Sequence, residues 1–472
     1  MKKNNTFRRA AALVAALSIT VSLAAPAFAG TYYIDYGNIT ITKDEHGKQT
    51  VQQGENEAVE DSGEIIITTR EQTIATQESD LEGPAAEDSG FGPVVEDNYQ
   101  PAAPAQPEDA DQPESADQQK DADQPEGADQ PESTDQPKDA DQQESADQQE
   151  SADRQAQQAA PAAAPAAPTL VNGKGNGFFG NTITVINKVA NTVLNLTLRD
   201  VKIDVSNTGW ENHAGKAALN VQGEGNVEIE LDGKNELKSG YYRAGLEKNN
   251  STSAGTLTLK DDKEAGNGSL NAEGGELSAG IGACYEEGTK NIIITGGTVT
   301  ATGGDGGAGI GGGDGGGAEN ITITGSTVTA TGGGSVLDWG GAGIGGGSDG
   351  RNSGSNGKNI TITGSTVTAT GGTGAAGIGG GGGGYNGNGE NITITGSRVT
   401  ATGNSGGAGI GGGERCDGEN ITITGSTVTA TGKYGGAGIG GGGFDGGGNG
   451  NHITITDSTV IATSEGVGER GN

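Results

Sequence analysis

Residues 320–332 read NITITGSTVTATG, and after a loop residues 341–347 read GAGIGGG. The same unit opens at six positions: Asn291, Asn320, Asn359, Asn391, Asn420 and, with an exchanged first residue, His452. The spacings between successive copies are 29, 39, 32, 29 and 32 residues, so the strand-like parts keep their length and the loops vary. This behaviour is expected when strands stack on the neighbouring copies and loops face water.

Apolar residues alternate with threonine inside each unit. Ile321, Ile323, Val328 and Ala330 fall on one side of the strands, and the threonines between them fall on the other. The Ala-Gly-Ile triplet at 342–344 makes a third short strand. Three short strands per unit predict an all-β fold, a right-handed parallel β-helix solenoid whose coils stack about 4.8 Å apart.

Stacking of equal residues predicts internal columns and a polar ladder. The isoleucine column runs from Ile294 to Ile455 and a valine column from Val299 to Val460, and each buried side chain stabilises the fold by about 1.5 to 3 kcal/mol. The asparagines that open the units stand at a turn, where their amides can donate and accept along the stack. Less regular copies near Asn195, Asn226 and Leu257 bring the expected total to about nine three-strand rungs.

The chain divides into five predicted segments. Residues 1–29 have the basic start, the apolar run and the Ala27-Phe28-Ala29 end of a secretory signal peptide. Residues 30–80 predict a small N-terminal β element whose docking the sequence leaves open. Residues 81–168, rich in Ala, Asp, Gln and Pro, predict a disordered acidic linker, which we expect to hold this element away from the β-helix. Irregular rungs occupy 169–290 and regular rungs 291–472.

Composition limits the functional classes. The net charge of -34 argues against nucleic acid as a partner, since the chain cannot neutralise a run of phosphates. No later segment reaches the roughly 20 apolar residues of a membrane helix, so we expect a secreted or surface-associated protein without membrane insertion. With 92 glycines and 4% aromatic residues, only a thin tubular core can be filled.

With these columns and motifs, residues 190–472 resemble the right-handed parallel β-helix proteins of the pectate-lyase-like superfamily. They are more narrowly similar to Gly-rich bacterial secreted proteins that carry carbohydrate-binding β-helix repeats. The resemblance implies secretion and contact with polysaccharide, but a fold alone does not establish a function.

Catalysis and metal binding find little support in the residue pattern. Asp200 and Asp204 share one strand face, but no neighbouring rung offers a matching acidic cluster, so we expect no enzyme and no catalytic residues. Aspartates recur beside glycine in the loops without the fixed period of calcium-binding repeats, which leaves only weakly held calcium open as a cofactor: Asp305, Asp314, Asp349, Asp417 and Asp445. Cys284 and Cys416 lie four rungs apart, beyond disulfide reach, which predicts two free thiols.

Aromatic residues in the loops are the candidate binding residues. Tyr241, Trp339 and Tyr434 each stand three residues before the alanine of the third strand, so they occupy equivalent positions three rungs apart, and Tyr385 and Phe444 lie on the other loop. An exposed ring can stack on the apolar face of a pyranose, although each ring can instead cap its own loop. Three rungs correspond to roughly 14 Å, a distance that a long glycan bridges.

These patterns predict a non-catalytic, adhesin-like binding protein for polysaccharide or a cell-surface glycan. The alternatives are a structural surface-display protein, a pectate-lyase-like enzyme, and an ice-binding protein that uses rows such as Thr322 and Thr324. The last copy of the unit is incomplete, and uncovered strand edges predict end-to-end self-association.

Overall fold

A computed structural model describes residues 30–69, 177–210, 213–263, 266–334, 339–348, 355–383, 386–444 and 447–466. The predicted signal peptide and acidic linker lie outside these residues. Apart from one 3-10 turn at Ile34–Tyr36, the regular structure in the described ranges consists of β-strands, here numbered in chain order. No helix in these ranges has the length and apolarity that a membrane crossing needs.

The strands form three long sheets. Sheet A contains β1 (Thr31–Tyr33), β5 (Ile65–Thr68), β7 (Val193–Arg199), β10 (Asn226–Asp232), β13 (Leu257–Lys260), β16 (Thr289–Thr295), β19 (Ala318–Thr324), β22 (Gly357–Thr363), β25 (Gly389–Thr395), β28 (Gly418–Thr424) and β31 (Gly450–Thr456). Sheet B contains β2 (Ile39–Lys43), β3 (Gln49–Gln53), β4 (Val59–Glu60), β6 (Ile183–Asn187), β9 (Leu219–Gly223), β12 (Leu246–Glu247), β15 (Ile281–Gly282), β18 (Ile310–Gly311), β21 (Ile344–Gly345), β24 (Ile378–Gly379), β27 (Ile410–Gly411) and β30 (Ile439–Gly440). Sheet C contains β8 (Lys202–Asp204), β11 (Lys234–Lys238), β14 (Ser269–Glu273), β17 (Thr298–Thr302), β20 (Thr327–Thr331), β23 (Thr366–Thr370), β26 (Arg398–Thr402), β29 (Thr427–Gly432) and β32 (Thr459–Ser464).

The chain visits the sheets in the order A, C, B and then starts again, which confirms the predicted parallel solenoid. We call one such turn a coil. Coils 3 to 10 run from β7 to β30 with three strands each; coil 1 holds β1 and β2, coil 2 holds β5 and β6, and coil 11 holds β31 and β32. The loops that lead from sheet C to sheet B are named CB loops, and those from sheet B to sheet A are named BA loops.

The internal columns lie where the sequence predicts them. Ile323 pairs with Ile294 on one side and Ile362 on the other, and Val328 is flanked in the same way by Val299 and Val367. All of these side chains are buried. Because the register is the same at every step, each coil repeats the packing of the previous one.

The N-terminal strands belong to the solenoid, so the prediction that the linker holds them away from it is wrong. β2 pairs in parallel with β6, and β5 pairs in parallel with β7. Ile39, Ile41, Ile65 and Ile67 are fully buried in the same core as the later columns. The physical reason is that the entropy cost of closing a loop grows only slowly with its length, so a long insertion between β5 and β6 does not prevent their coil from closing.

The two ends of the solenoid differ. At the N-terminal end, β3 and β4 pair antiparallel beside β2, and Ile34 is buried. At the other end, β30, β31 and β32 are edge strands, and Ile453, Ile455 and Ile461 are exposed. The C-terminal coil therefore presents apolar side chains and strand edges, as the prediction of end-to-end association requires; association itself stays a prediction.

The predicted asparagine ladder is present. The amide of Asn320 donates to Asn291 at 2.9 Å, that of Asn359 to Asn320 at 2.9 Å, and that of Asn391 to Asn359 at 3.0 Å. Asn420 continues the row at 3.1 Å. Each residue has a positive φ between 54° and 59°, a conformation that asparagine tolerates better than most residues.

Candidate functional site

The CB and BA loops fold toward each other over the short strands of sheet B. In each case the BA loop of one coil donates a backbone hydrogen bond to the CB loop of the preceding coil: Ser348 to Gly306 at 2.7 Å, Glu414 to Gly374 at 2.7 Å, and Gly443 to Gly406 at 2.6 Å. The loops of coils 6 to 10 thus form one continuous surface, which we call the loop ridge.

Glycine is required beneath the loop ridge because neighbouring coils approach too closely for a side chain. Gly345, Gly379 and Gly411 have φ values of 139°, 132° and 132°. A methyl group on Gly379 would lie 2.0 Å from the carbonyl oxygen of Gly411, and one on Gly411 would lie 1.9 Å from that of Gly440. The few side chains of the ridge therefore stand on closely packed backbone.

Trp339, Glu414 and Phe444 meet on this ridge, although they come from three different loops. A methyl group placed on Gly374 would lie 2.8 Å from Cε3 of Trp339 and 3.5 Å from Oε2 of Glu414. A methyl group placed on Gly406 would lie 2.5 Å from Cδ2 of Phe444 and 3.3 Å from Cγ of Glu414. The two rings thus occupy the space that the glycines leave empty, with Glu414 beside both.

Charge and exposure differ sharply within this group. The side chain of Glu414 is only 4% exposed, and Nη1 of Arg415 lies 3.3 Å from its Oε1. Trp339 is 40% exposed and Tyr434, on the CB loop of coil 10, is 45% exposed. Gly435, which follows Tyr434, would place a methyl group 3.9 Å from the backbone nitrogen of Phe444, so the loop of Tyr434 adjoins that of Phe444. We call Trp339, Glu414, Arg415, Tyr434 and Phe444 the Trp339 patch.

Tyr241 lies apart from this patch, on the CB loop of coil 4. Its ring centroid is 4.1 Å from that of Tyr242, which in turn stacks on Tyr285 at 4.6 Å. The pKa of Tyr241 is raised, first by its hydrogen bond with Tyr242 and then by burial and the charge of Glu276. Tyr241, Trp339 and Tyr434 do occur three coils apart, but Tyr241 packs in its own tyrosine stack. Tyr385 lies outside the described residues.

The loop aspartates do not converge on one point. Asp305 is on the CB loop of coil 6, and Asp314 is on the BA loop of that coil, where it accepts a hydrogen bond from Ser348. Asp417 in coil 9 accepts bonds from the backbone and side-chain nitrogens of Asn449 at 2.6 and 3.2 Å. Asp349 and Asp445 fall outside the described ranges. Within those ranges no three His, Cys, Asp or Glu side chains are grouped as a metal site requires.

The thiols lie on different coils. Cys284 follows β15 and Cys416 lies on the BA loop of coil 9, where its Sγ accepts a hydrogen bond from Gly387 at 3.2 Å. Burial, and then the charge of Glu247, raises the pKa of Cys284 to about 12. The Cys284 thiol is therefore a poor nucleophile at neutral pH.

A cavity of about 480 Å³ on sheet A is lined by carboxylates and lysines, the side chains that acid–base chemistry would need. Its carboxylates already have partners. Glu228 Oε2 lies 3.0 Å from Nζ of Lys260, and Glu230 accepts the backbone N–H groups of Asp262 and Lys263, both at 3.0 Å. Burial raises the pKa of Glu230. Glu230 therefore holds Asp262 and Lys263 against the sheet.

Two features escaped the sequence reasoning. A buried serine ladder follows the A-to-C corners, where the N–H of Ser326 donates to Oγ of Ser365 at 3.3 Å and that of Ser365 to Ser397 at 3.2 Å. The repeated Gly-Ser pair before β20, β23 and β26 was the signal for it. Glu414 and Arg415 were also missed, because nothing in a single loop indicates that Trp339 and Phe444 from other coils surround them.

Comparison with known proteins gives one family. A family described as Beta helix repeat matches residues 292–314, 321–348, 360–382, 392–414 and 421–443. No curated protein and no solved structure matches the chain. The matched segments cover β16 to β30 almost coil for coil, and each ends on a BA loop of the ridge. The three parallel sheets make this protein a parallel β-helix, and residues 292–443 within it match the β-helix repeat family.

Proposed function

We propose that this protein is an extracellular, non-catalytic polysaccharide-binding protein and that the Trp339 patch is its glycan contact. The observation that carries the proposal is the pair of well-exposed rings, Trp339 and Tyr434, on one ridge, with the buried Glu414 carboxylate beside Trp339. The signal-peptide pattern of residues 1–29 supports the extracellular location.

The chemistry of the patch suits a sugar. A pyranose presents an apolar C–H face that packs on an aromatic ring and hydroxyls that need hydrogen-bond partners. Arg415, whose side chain is 37% exposed, supplies donors, and the buried Glu414 carboxylate holds its guanidinium at 3.3 Å. Because the glycine backbone below the rings is closely packed, the side chains are held in place before a ligand arrives, which lowers the entropy cost of binding.

The geometry favours a long chain over a single sugar. Trp339 lies on coil 7 and Tyr434 on coil 10, so the two rings are separated by three coil steps, roughly 14 Å along the axis. The strongly negative charge of the protein, -34, favours neutral or basic polysaccharides over acidic ones.

A structural display protein is the other candidate, favoured by the regular and largely uncharged later coils. It predicts no saturable affinity for any glycan. A pectate-lyase-like enzyme predicts new unsaturated ends in an acidic polysaccharide, and the paired carboxylates on sheet A argue against that reaction.

The test is a glycan array followed by pull-down on insoluble polysaccharides, with the purified protein from residue 30 onward, with and without calcium. Trp339→Ala and Tyr434→Ala should each weaken binding about fivefold, since a ring contact contributes on the order of 1 kcal/mol. Trp210→Ala is the matched control, because Trp210 is 71% exposed on the CB loop of coil 3, away from the patch.

Loss of binding in the two patch variants with retention in the control supports the proposal. Equal loss in all three variants, or no binding to any glycan by the unaltered protein, contradicts it and favours the structural role.

A further inference from the structure

The outer face of sheet C in coils 6 to 11 is a regular grid of threonines. Three positions point outward on each of β17, β20, β23, β26, β29 and β32, and sixteen of these eighteen positions are threonine; Arg398 and Ile461 are the exceptions. Every strand pairs with the next without a change of register. The columns of the grid therefore run along the solenoid axis.

The hydroxyls of this threonine grid are available to a ligand. Val328 and Ala330 are buried beneath the sheet, which forces Thr327 and Thr329 on the same strand to face outward. Across the described residues, no threonine hydroxyl of the grid makes a hydrogen bond to the protein, whereas the serines at the neighbouring corners are all bonded. Each threonine of the grid thus offers one donor and a vacant acceptor.

The grid is also rigid and nearly uncharged in a protein of net charge -34. Threonine is branched at Cβ and has a single rotor, so little side-chain entropy is lost when a ligand fixes it. The earlier strands of sheet C instead carry ion pairs, such as Lys202 with Glu236 at 3.0 Å and Lys238 with Glu273 at 2.8 Å. Sheet A has only two outward threonine columns and adds the Lys358–Glu390 pair at 3.1 Å.

The spacing of the grid selects the ligand. Neighbouring strands are about 4.8 Å apart, and threonines two residues apart on one strand are separated by about 6.6 Å. A ligand that fits many positions at once must be neutral, must both donate and accept hydrogen bonds, and must repeat in two dimensions. Water in hexagonal ice meets all three conditions, and its oxygen lattice has repeats close to these two distances.

We propose that the threonine grid of sheet C binds the surface of ice. The proposal is independent of the Trp339 patch, because the patch lies on the loops around sheet B and the grid lies on another face of the solenoid. It uses no charge and no bound ion, so its effect persists at high salt, where contacts between surface charges are screened.

The experiment measures thermal hysteresis and ice recrystallisation with the purified protein from residue 30 onward. The unaltered protein should shape ice crystals and lower their growth temperature. Thr368→Lys puts a long charged chain in the centre of the grid and should remove at least half of the hysteresis. Asn271→Lys, on an outward position of β14 outside the grid, is the matched control and should retain it.

Thermal melting followed by circular dichroism checks that both variants fold. Trp339→Ala should lose glycan binding and keep the hysteresis, which separates failure of this proposal from failure of the proposed function. Absence of hysteresis in the unaltered protein overturns the proposal. Full hysteresis in folded Thr368→Lys also overturns it. So does a Thr368→Lys variant that keeps its hysteresis and loses only its adsorption to insoluble polysaccharide.

Discussion

Lys248 should destabilise the protein below about pH 8, and replacing it with methionine should show by how much. The side chain follows β12 and is fully buried; its Nζ donates to the carbonyl oxygen of Ser253 at 3.2 Å. Burial, and then repulsion by Lys290, lowers its pKa from 10.5 to about 8. At about 1.4 kcal/mol for each pH unit between these values, the charged form carries a penalty of about 3 kcal/mol in the folded state.

The sign follows from proton counting. Below pH 8 the folded and unfolded states both hold the proton, so the full penalty is present. Between about pH 8 and 10.5 the unfolded chain binds more protons than the folded one, and stability rises with pH. Lys248→Met removes this dependence and gives up one hydrogen bond worth about 1 kcal/mol, so we expect a net gain of about 2 kcal/mol at pH 7.

Guanidinium unfolding followed by circular dichroism at pH 7 and pH 10 tests the reasoning. The free energy of unfolding of Lys248→Met minus that of the unaltered protein should fall by about 2 to 3 kcal/mol from pH 7 to pH 10. Cys284, whose raised pKa of about 12 destabilises the fold at alkaline pH, is present in both proteins. Its contribution therefore cancels when one unfolding free energy is subtracted from the other. Lys260→Met is the control: burial, the largest single cause, lowers the pKa of Lys260, but the bonds and charges of Glu228 and Asp262 together raise it, so this variant should lose stability at pH 7. A difference that does not change with pH would refute the argument.

Three further predictions concern the stack, each checked by the unfolding midpoint. Gly411→Ala should destabilise the protein by more than about 3 kcal/mol, because φ at this position is 132° and the new methyl group would lie 1.9 Å from the Gly440 carbonyl oxygen. Gly364→Ala should cost only about 1 to 2 kcal/mol, because φ is 56° and the space around it is open. Equal effects of the two substitutions would contradict the close packing of the coils at Gly411. Asn359→Ala should lose about 1 to 2 kcal/mol and Asn359→Gly less, since glycine restores the positive φ of 54° but not the two ladder bonds; an equal loss would show that the backbone conformation contributes little. Ser397→Ala should cost about 1 to 3 kcal/mol because the buried N–H of Ser365 loses its acceptor at 3.2 Å; a neutral result would mean that water replaces it.

The solenoid could be predicted because the alternation of apolar residues and threonine repeats from one coil to the next. The alternation of Ile321 and Ile323 with Thr322 defines the inner face of one strand, and its repetition at Ile360 and Ile362 defines the stacking partner. A register error of one residue would turn every isoleucine outward, so the pattern permits only one pairing. The asparagine ladder follows from the same periodicity.

The parts that could not be predicted depend on contacts that do not repeat. Nothing in Ile65 or Ile67 indicates that their strand pairs with β7, more than a hundred residues later, because one copy has no period. The Trp339 patch combines side chains of coils 7, 9 and 10, whose loops differ in length and sequence. The proximity of Glu414 to both rings arises from backbone bonds between loops, such as that from Glu414 to Gly374 at 2.7 Å, which no side-chain pattern encodes.

The insertion point of the acidic segment, between β5 and β6, has a consequence for proteolysis. Strand pairing to β6 and β7 holds β2 and β5 in place, whatever happens to the peptide bonds between residues 70 and 176. A single cut there would produce two polypeptides that stay together as one nicked protein, separable in denaturant but not by dilution in buffer. The N-terminal fragment would continue to close its end of the tube, in the way that a complementing peptide restores a split protein.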